Sequence, residues 1–132
     1  MKTIITVHAT MTTPGLHLTG KDVDRRDRSK GYSKCGYHFV ISREGDAHEA
    51  RKFTEASIHD GAEAKESISI CLVGGVDDTG KPADNFTLPQ WEALKAVIRV
   101  AGEVNQLTSV RSKTPAVASD RINQIIWRKS DA

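Results

Sequence analysis

The sequence predicts an α/β fold, a single domain with a central mixed β-sheet flanked by helices. Two observations predict strands: "IITV" at residues 4–7 and "SISICLV" at residues 67–73 are short, nearly continuous apolar runs, typical of buried strands. A third predicts the helix that covers them, because "TLPQWEALKAVIRVAG" at residues 87–102 has apolar side chains at helical spacing. A chain of 132 residues suffices for one hydrophobic core, so we expect residues 1–132 to form one domain.

The first half of the chain predicts a strand, a polar helix and another strand. A Thr-, Gly- and Pro-rich loop follows the first strand. Thr19, with Asp22 three residues later, predicts a capped helix, and Gly31 predicts its end. "YHFVIS" at residues 37–42 is rich in β-favouring residues and precedes turn residues at 44–45, which indicates a strand.

The second half predicts a long polar loop and two helices. Thr87 and Gln90 can form a capping box, and Gly102 suits the left-handed end of that helix. A polar segment at residues 105–114 then leads to a last helix, with Ser119 as its cap. The residues expected on its apolar face are Ile122, Ile125 and Ile126.

Composition excludes several broad classes. The net charge of +2 and the charged content of 27% call for neither a nucleic-acid nor a membrane partner. No apolar run reaches the length of a membrane span, and the apolar stretch near the first residue is too short for a signal peptide. Cys35 and Cys71 lack C-x-x-C spacing and suggest a reduced chain. We therefore expect a monomer that stays in the cytoplasm.

"GVDDTGK" at residues 75–81 matches the G-x-x-x-x-G-K pattern of a phosphate-binding loop. Such a loop needs Ser or Thr next, to bind magnesium, and this chain has Pro82. Asp77 and Asp78 would also repel a phosphate. The pattern therefore favours an ordinary connecting loop.

A set of basic residues lies towards the end of the chain. Such a patch could meet phosphates or an acidic protein surface, but it has no aromatic ladder, so a solvated helix face is favoured. Its members are Arg111, Lys113, Arg121, Arg128 and Lys129.

Histidines are the candidate metal ligands, but their spacing alone predicts no metal site. None of the five forms an H-x-x-x-H pair; they are His8, His17, His38, His48 and His59. His8 ends a buried strand and is well placed to hold a metal, which needs about three protein ligands for chemistry.

Tyr37 opens the strand "YHFVIS" and has two interpretations. A tyrosine at the mouth of a strand can stabilise a developing oxyanion by hydrogen bonding. It can equally be a core residue with its hydroxyl at the rim, and taken alone the core interpretation is favoured.

Three segments together resemble the type 2 N-acetylmuramoyl-L-alanine amidases, and within that family the lysozymes of T-seven-type phages. The segments are "VHAT", "GYSKCGYHFVISREG" and "SISICLVGGVDDTGKPADNFTLPQWEAL". The resemblance covers residues 4–100, is most specific at residues 67–94, and leaves residues 101–132 as a divergent C-terminal segment. It implies the type 2 amidase fold and a zinc enzyme whose metal activates a water to cleave the bond between the lactyl group and L-alanine.

The resemblance also assigns roles to residues. The family's zinc sits on a histidine that ends the first strand, a second histidine late in the chain, and a cysteine or aspartate eight residues later. His8 matches the first ligand, Tyr37 the tyrosine that assists catalysis and contacts substrate, and His59 a histidine near the substrate cleft. Asp27 stands where many relatives have histidine.

The late zinc motif does not carry over. Residues 99–132 contain no histidine and no cysteine. Counting back from Trp127, Asp120 takes the third ligand position, Ser112 the second, and Ala118 the place of an assisting lysine. One histidine and one aspartate make a poor zinc site, unless His59 or Asp60 approaches His8 in a rearranged cleft.

Three hypotheses follow for function. The favoured one is a degenerate amidase that binds the murein stem peptide, or a protein such as a phage RNA polymerase, which the similar phage lysozymes also bind and inhibit. The second is an active peptidoglycan amidase with an unusual ligand set, which alone would need zinc. The third is a phage interaction module or host-defence antagonist on a recycled amidase fold.

Overall fold

The computed structural model describes residues 2–118, 120 and 122, and within them five strands form one sheet with two α-helices. A 3₁₀ turn, Gly61–Glu63, precedes the fourth strand. The elements in chain order are β1 (Ile4–Ala9), α1 (Gly20–Ser29), β2 (Phe39–Ile41), β3 (Ala47–Glu49), β4 (Ser67–Leu72), α2 (Leu88–Val104) and β5 (Ser109–Ser112).

The sheet has the strand order β3-β2-β4-β1-β5 and is mixed, as the sequence predicts. β1 runs parallel to β4 and β5, β2 runs parallel to β4, and only the edge strand β3 is antiparallel to its neighbour. Because parallel strands end at the same edge of a sheet, the carboxyl end of β1 lies beside that of β4, with His8 opposite Cys71.

Both faces of the sheet are covered, which explains why its central strands are apolar on both sides. The larger core lies under α2, which contributes Trp91, Leu94 and Ile98 against Val7 and Ile70 of the sheet. A smaller core lies on the opposite face and includes a residue of α1; its buried members are Val23, Cys35, Val40, Cys71 and Val73.

The polar helix α1 confirms the capping prediction. The Thr19 hydroxyl accepts from the backbone N–H of Asp22, whose carboxylate in turn accepts from the N–H of Thr19. Gly31 follows the last turn with φ of 99°, the left-handed conformation that ends helices at glycine. The loop interpretation of residues 75–81 also holds, because the Asp77 carboxylate accepts from its own turn rather than opening a helix.

Two predicted boundaries and one predicted segment are wrong. α2 continues to Val104, so Gly102 lies inside the helix, and Asn105 follows the last turn and donates to the carbonyl of Ala101. The predicted strand at 37–42 is shorter, because only the residues of β2 pair with β4.

The segment at 105–114, expected to be an irregular polar connection, contains β5. It escaped prediction because β5 is a four-residue edge strand with one fully buried apolar residue, Val110. The short, exposed strand β3 was not expected either. Of the predicted last helix, Asp120 and Ile122 are helical, while Ser119, Ile125 and Ile126 lie outside the described residues. The same is true of Trp127 and of three members of the basic set.

None of the helices in the described part of the chain combines the length and apolarity needed to cross a bilayer.

Gln90 joins α2 to the sheet. It is fully buried, and its amide donates to the carbonyls of Ile41 (3.2 Å) and Val73 (2.9 Å). The Ile41 carbonyl also accepts from the N–H of Val73, and the Val73 carbonyl from Arg43 Nη1. Its carbonyl accepts from the N–H of Thr87 (2.9 Å), which completes the capping box. One side chain therefore satisfies backbone groups of two strands and a helix.

We predict that Gln90→Leu lowers the free energy of unfolding by about 2 kcal/mol, because the N–H of Thr87 loses its acceptor and two buried carbonyls each lose a donor, in nearly the same side-chain volume. Urea denaturation followed by circular dichroism measures the change. Gln106→Leu, at an exposed glutamine, is the control and should stay within about 0.5 kcal/mol of the parent chain. Equal losses in both variants would contradict the role given to Gln90.

Glu55 fixes the loop that precedes the 3₁₀ turn. Its carboxylate accepts from Lys34 Nζ (2.8 Å) and from the backbone N–H of Lys52 (3.0 Å), and these bonds lower its pKa to about 2. Its backbone carbonyl accepts from His38 Nε2 and Lys2 Nζ, two buried side chains.

The pKa of Glu55 is lower in the folded chain than its value of about 4.3 in an unfolded chain. The contribution of its ionised carboxylate to the free energy of unfolding is therefore complete above a pH of about 4.3. It is lost as the pH falls from about 4.3 towards 2. We predict that Glu55→Gln lowers the melting temperature at pH 7 but not at pH 2, so the two melting curves converge in acid. A constant difference across this pH range would contradict the assignment.

Candidate functional site

His8 lies at the carboxyl end of β1, where the sequence places a metal ligand. Alternate residues of a strand face the same side of a sheet, so His8 shares a face with Thr6. Its side chain is nearly buried, and its Nε2 lies 2.7 Å from Oδ1 of Asp60. The Nδ1 atom has no hydrogen-bond partner among the described residues.

Asp60 is the centre of the polar network on this face. Its other oxygen, Oδ2, accepts from the hydroxyls of Thr6 (2.7 Å), Ser57 (3.1 Å) and Ser67 (2.5 Å). Burial acts to raise the pKa of Asp60, but the hydrogen bonds from His8, Ser67 and Thr6 outweigh it and hold the pKa well below its usual range. The carboxyl is therefore ionised and can only accept hydrogen bonds.

Three residues that the resemblance assigns to the site lie together in an aromatic cluster. The rings of Tyr37 and His59 stack with centroids 4.4 Å apart, and the ring of His8 lies 5.3 Å from Tyr37. Tyr32, which is 41% exposed, contacts His59 edge-on at 5.7 Å. Burial, together with the neighbouring Cys71 and Asp27, raises the pKa of Tyr37, so its hydroxyl stays protonated.

Asp27 holds this cluster from α1. It is buried, and its Oδ2 accepts from the backbone N–H of Gly36 (2.8 Å) and lies 3.0 Å from Nε2 of His59. Gly36 permits this approach, because a Cβ atom there would lie 2.5 Å from His59 Nε2. The aspartate that replaces a common family histidine is thus a support for His59.

The strand beside His8 carries cations rather than a second ligand. Ser112 pairs with Val7, and the next residue, Lys113, donates its N–H to the carbonyl of Val7 (2.8 Å), so Lys113 lies beside His8. Lys113 Nζ lies 2.8 Å from Oε1 of Glu63, and Arg111 pairs with the other oxygen of that carboxylate. The hydrogen bond from Lys113, followed by the charges of both cations, lowers the pKa of Glu63.

The donors in the described residues do not fit the zinc ion that the family resemblance implies. The bond from Nε2 of His8 to Asp60 is of the kind that supports a metal-bound histidine and leaves Nδ1 as a donor atom, but no second ligand within the described part of the chain joins it. The Ser112 hydroxyl lies 2.9 and 2.7 Å from the carbonyl oxygens of Thr114 and Val117. Asp120 is exposed, and its assignment as a ligand stays a prediction. In this part of the chain no three His, Cys, Asp or Glu side chains are grouped as a metal would need.

The remaining histidines have other environments. His38 is fully buried, with Nε2 donating to the carbonyl of Glu55 and Nδ1 accepting from the N–H of Ser69. His17 pairs with Glu44 at the surface, and His48 lies on the exposed strand β3.

Sequence reasoning missed most of the network around His8. It named Asp60 only as a residue that could approach His8 after rearrangement, whereas Asp60 contacts it directly. It missed the hydroxyls of Thr6, Ser57 and Ser67. A usable signal was present, since Thr6, Ser67 and Ser69 are hydroxyl residues within strands that are otherwise largely apolar.

Comparison with known proteins confirms the family. The family model described as N-acetylmuramoyl-L-alanine amidase matches residues 2–131, so the chain belongs to this type 2 amidase family. The endolysin of Escherichia phage T7 is 33% identical over 94 residues, and that of Klebsiella phage KP32 is 31% identical over 94 residues. Each alignment covers 71% of this chain and 62% of the endolysin, so the chain spans less than two thirds of these relatives.

Solved structures confirm the α/β fold. The N-acetylmuramoyl-L-alanine amidase LysC from Clostridium intestinale URNW superposes with a TM-score of 0.76 at 19% identity, covering 94% of this chain and 82% of that one. The bumblebee peptidoglycan recognition protein PGRP-SA gives 0.74 at 18% identity, covering 97% and 84%. At these identities the likeness establishes the fold alone.

We predict that Asp27→Ala lowers the free energy of unfolding by about 1–3 kcal/mol, because the buried N–H of Gly36 loses its acceptor. The stacking of His59 on Tyr37 should loosen, which the ring-current shifts of the Tyr37 protons report by NMR. Asp78→Ala, at an exposed loop aspartate, is the control and should leave both unchanged. Unchanged Tyr37 shifts in Asp27→Ala would contradict the supporting role of Asp27.

Proposed function

We propose that this endolysin-like member of the amidase family binds the stem peptide of murein without hydrolysing it. The observation that carries the proposal is the arrangement around His8. His8 is the first expected ligand, but the second expected position is Ser112, whose hydroxyl is hydrogen-bonded to backbone carbonyls. Among the described residues no three His, Cys, Asp or Glu side chains are grouped as a metal would need.

A binding surface remains beside that arrangement. Tyr37 is half-buried, His59 is stacked on it, and the exposed ring of Tyr32 extends the cluster outwards. Aromatic rings and a few fixed polar groups are what a concave site for a sugar–peptide ligand needs. The family, the endolysin relatives and the peptidoglycan recognition proteins of the same fold support murein as the ligand class.

Without bound metal, water near neutral pH is a poor nucleophile, so such a site retains recognition and loses hydrolysis. In this proposal the chain acts by binding to murein without cleaving it. The second hypothesis, an active zinc amidase, would require ligands that the described residues do not provide.

We predict that the purified chain co-sediments with insoluble murein of Gram-negative type and leaves the suspension turbid, with or without added zinc. His59→Ala should weaken sedimentation about tenfold, because the stacked surface beside Tyr37 is lost. His17→Ala, at an exposed histidine away from the cluster, is the matched control and should sediment like the parent chain.

Two results would contradict the proposal. Clearing of the suspension that depends on zinc, with release of free L-alanine amino groups, would establish the active amidase instead. Absence of sedimentation would remove murein as the ligand.

Binding to a phage RNA polymerase remains a separate prediction that rests on the resemblance, and the cytoplasmic location and the monomeric state also stay predictions. An in vitro transcription assay with the purified chain tests the polymerase directly.

A further inference from the structure

The helix α1 presents a stripe of cations to solvent. Lys21, Arg25 and Arg28 recur at positions i, i+4 and i+7, so they lie on one face of the helix, and all three are exposed. The opposite face holds the residues that α1 buries, among them Val23 and Asp27. The cation stripe extends over about 10 Å of the helix axis, because each residue adds about 1.5 Å.

The aspartates that flank this stripe are held against the protein, while the cations extend into water. Asp22 accepts from the threonine that caps the helix, and Asp24 accepts from the backbone N–H of Cys35 (2.7 Å). The side chains of Asp22 and Asp24 are 33% and 30% exposed, whereas those of their ion-pair partners Arg25 and Arg28 are 77% and 57% exposed. A ligand that approaches α1 therefore meets positive charge first. Exposed ion pairs of this kind stabilise a helix only slightly, so the arginines can exchange them for anions of a ligand.

The same helix contacts the candidate site. Asp27, on its inner side, supports the ring of His59. Lys30 follows the last turn, is exposed, and lies two residues before Tyr32, which contacts His59 edge-on. A polymer bound at the aromatic cluster is therefore within reach of the cations of α1.

The composition of the exposed face of α1 indicates which kind of polymer fits it. The helix has one aliphatic residue, Val23, which is buried, and it has no aromatic residue. A membrane surface would favour apolar side chains that insert below the headgroups, and a single-stranded nucleic acid would favour aromatic rings that stack on its bases. Cations alone suit a hydrated polymer that carries repeated carboxylates. Murein is such a polymer, because its stem peptides carry free carboxylates.

We propose that the cation stripe of α1 is a second contact surface for murein, which binds carboxylates of stem peptides next to the one at the aromatic cluster. The inference rests on the proposed function and deepens it, because it names the charged groups of murein that the chain attracts. Attraction between exposed charges is screened by salt, so the contribution of this surface depends on ionic strength.

The test is co-sedimentation with insoluble murein at low and high salt. The variant Lys21→Gln/Arg25→Gln/Arg28→Gln removes the stripe with a residue that favours helices. We expect its affinity to be about tenfold lower than that of the parent chain at low salt, since each exposed ion pair contributes only a few-fold. At about 1 M NaCl, where charges are screened within about 3 Å, the two affinities should converge.

Two further variants separate the stripe from net charge and from side-chain shape. Lys65→Gln/Lys81→Gln/Arg99→Gln is the matched control, because it removes the same charge from exposed positions outside α1 and should sediment like the parent chain. Arg25→Lys/Arg28→Lys keeps the charge of the stripe and should also sediment like the parent chain.

The carboxylates of murein are tested by converting them to amides. The parent chain should bind the amidated murein no better than the α1 variant binds it. An advantage of the parent chain that survives amidation would overturn the inference, because the stripe would then contact another group.

Three other results would overturn the inference. They are equal sedimentation of the parent chain and the folded α1 variant at low salt, an equal loss in the matched control, and loss of binding to phosphatidylglycerol vesicles with murein binding unchanged. If the triple variant does not fold, Arg25→Gln replaces it, with an expected loss of about twofold against Arg99→Gln. A parent chain that does not sediment at all removes the proposed function and the inference together, whereas equal sedimentation removes the inference alone.

Discussion

A buried carboxylate must be satisfied on all sides, and Asp60 imposes that constraint on this protein. An ionised group away from water is costly unless hydrogen bonds and partner groups compensate. Here three hydroxyls and one imidazole provide the compensation, and they come from β1, β4 and the loop before the 3₁₀ turn. The carboxylate thereby joins two central strands to the segment that carries His59, so the sheet and the aromatic cluster share one support.

The same constraint explains the character of the site. In a zinc amidase the metal ion would be the strongest charge at the end of β1, and its ligands would be arranged to satisfy it. In this chain the positive charges at that edge are those of Arg111 and Lys113, which pair with Glu63. His8 Nε2 is bonded to Asp60. The family's fold is present, and an aromatic cluster lies beside His8.

Sequence patterns predicted the parts of the fold that depend on local rules. The capping boxes at Thr19 and Thr87 and the apolar runs of β1 and β4 follow from side-chain chemistry within a few residues, and all four are present. β5 was missed because an edge strand is specified by its partner β1 rather than by its own composition. The extension of α2 past Gly102 was missed because the helix ends before Asn105, whose side chain donates to the carbonyl of Ala101, and not at the glycine that the sequence favoured.

The candidate site likewise contains residues that the sequence could identify and contacts that it could not. His8, Tyr37 and His59 could be named because family motifs surround them, and the structure brings the three rings together. The direct contacts of Asp60 with His8 and of Lys113 with Glu63 could not be predicted, because they join residues 52 and 50 positions apart in the sequence. Long-range pairing of that kind leaves no periodic trace in one sequence.

The central claim is the proposal that the end of β1 binds no zinc, because His8 has no further ligands grouped with it among the described residues. The most direct test is a crystal structure of the chain grown with zinc, with diffraction data collected at the zinc absorption edge. The account predicts no anomalous peak within bonding distance of either His8 nitrogen, with Nε2 still on Asp60 and Lys113 on Glu63. An anomalous peak bonded to His8 and completed by further side chains would contradict it.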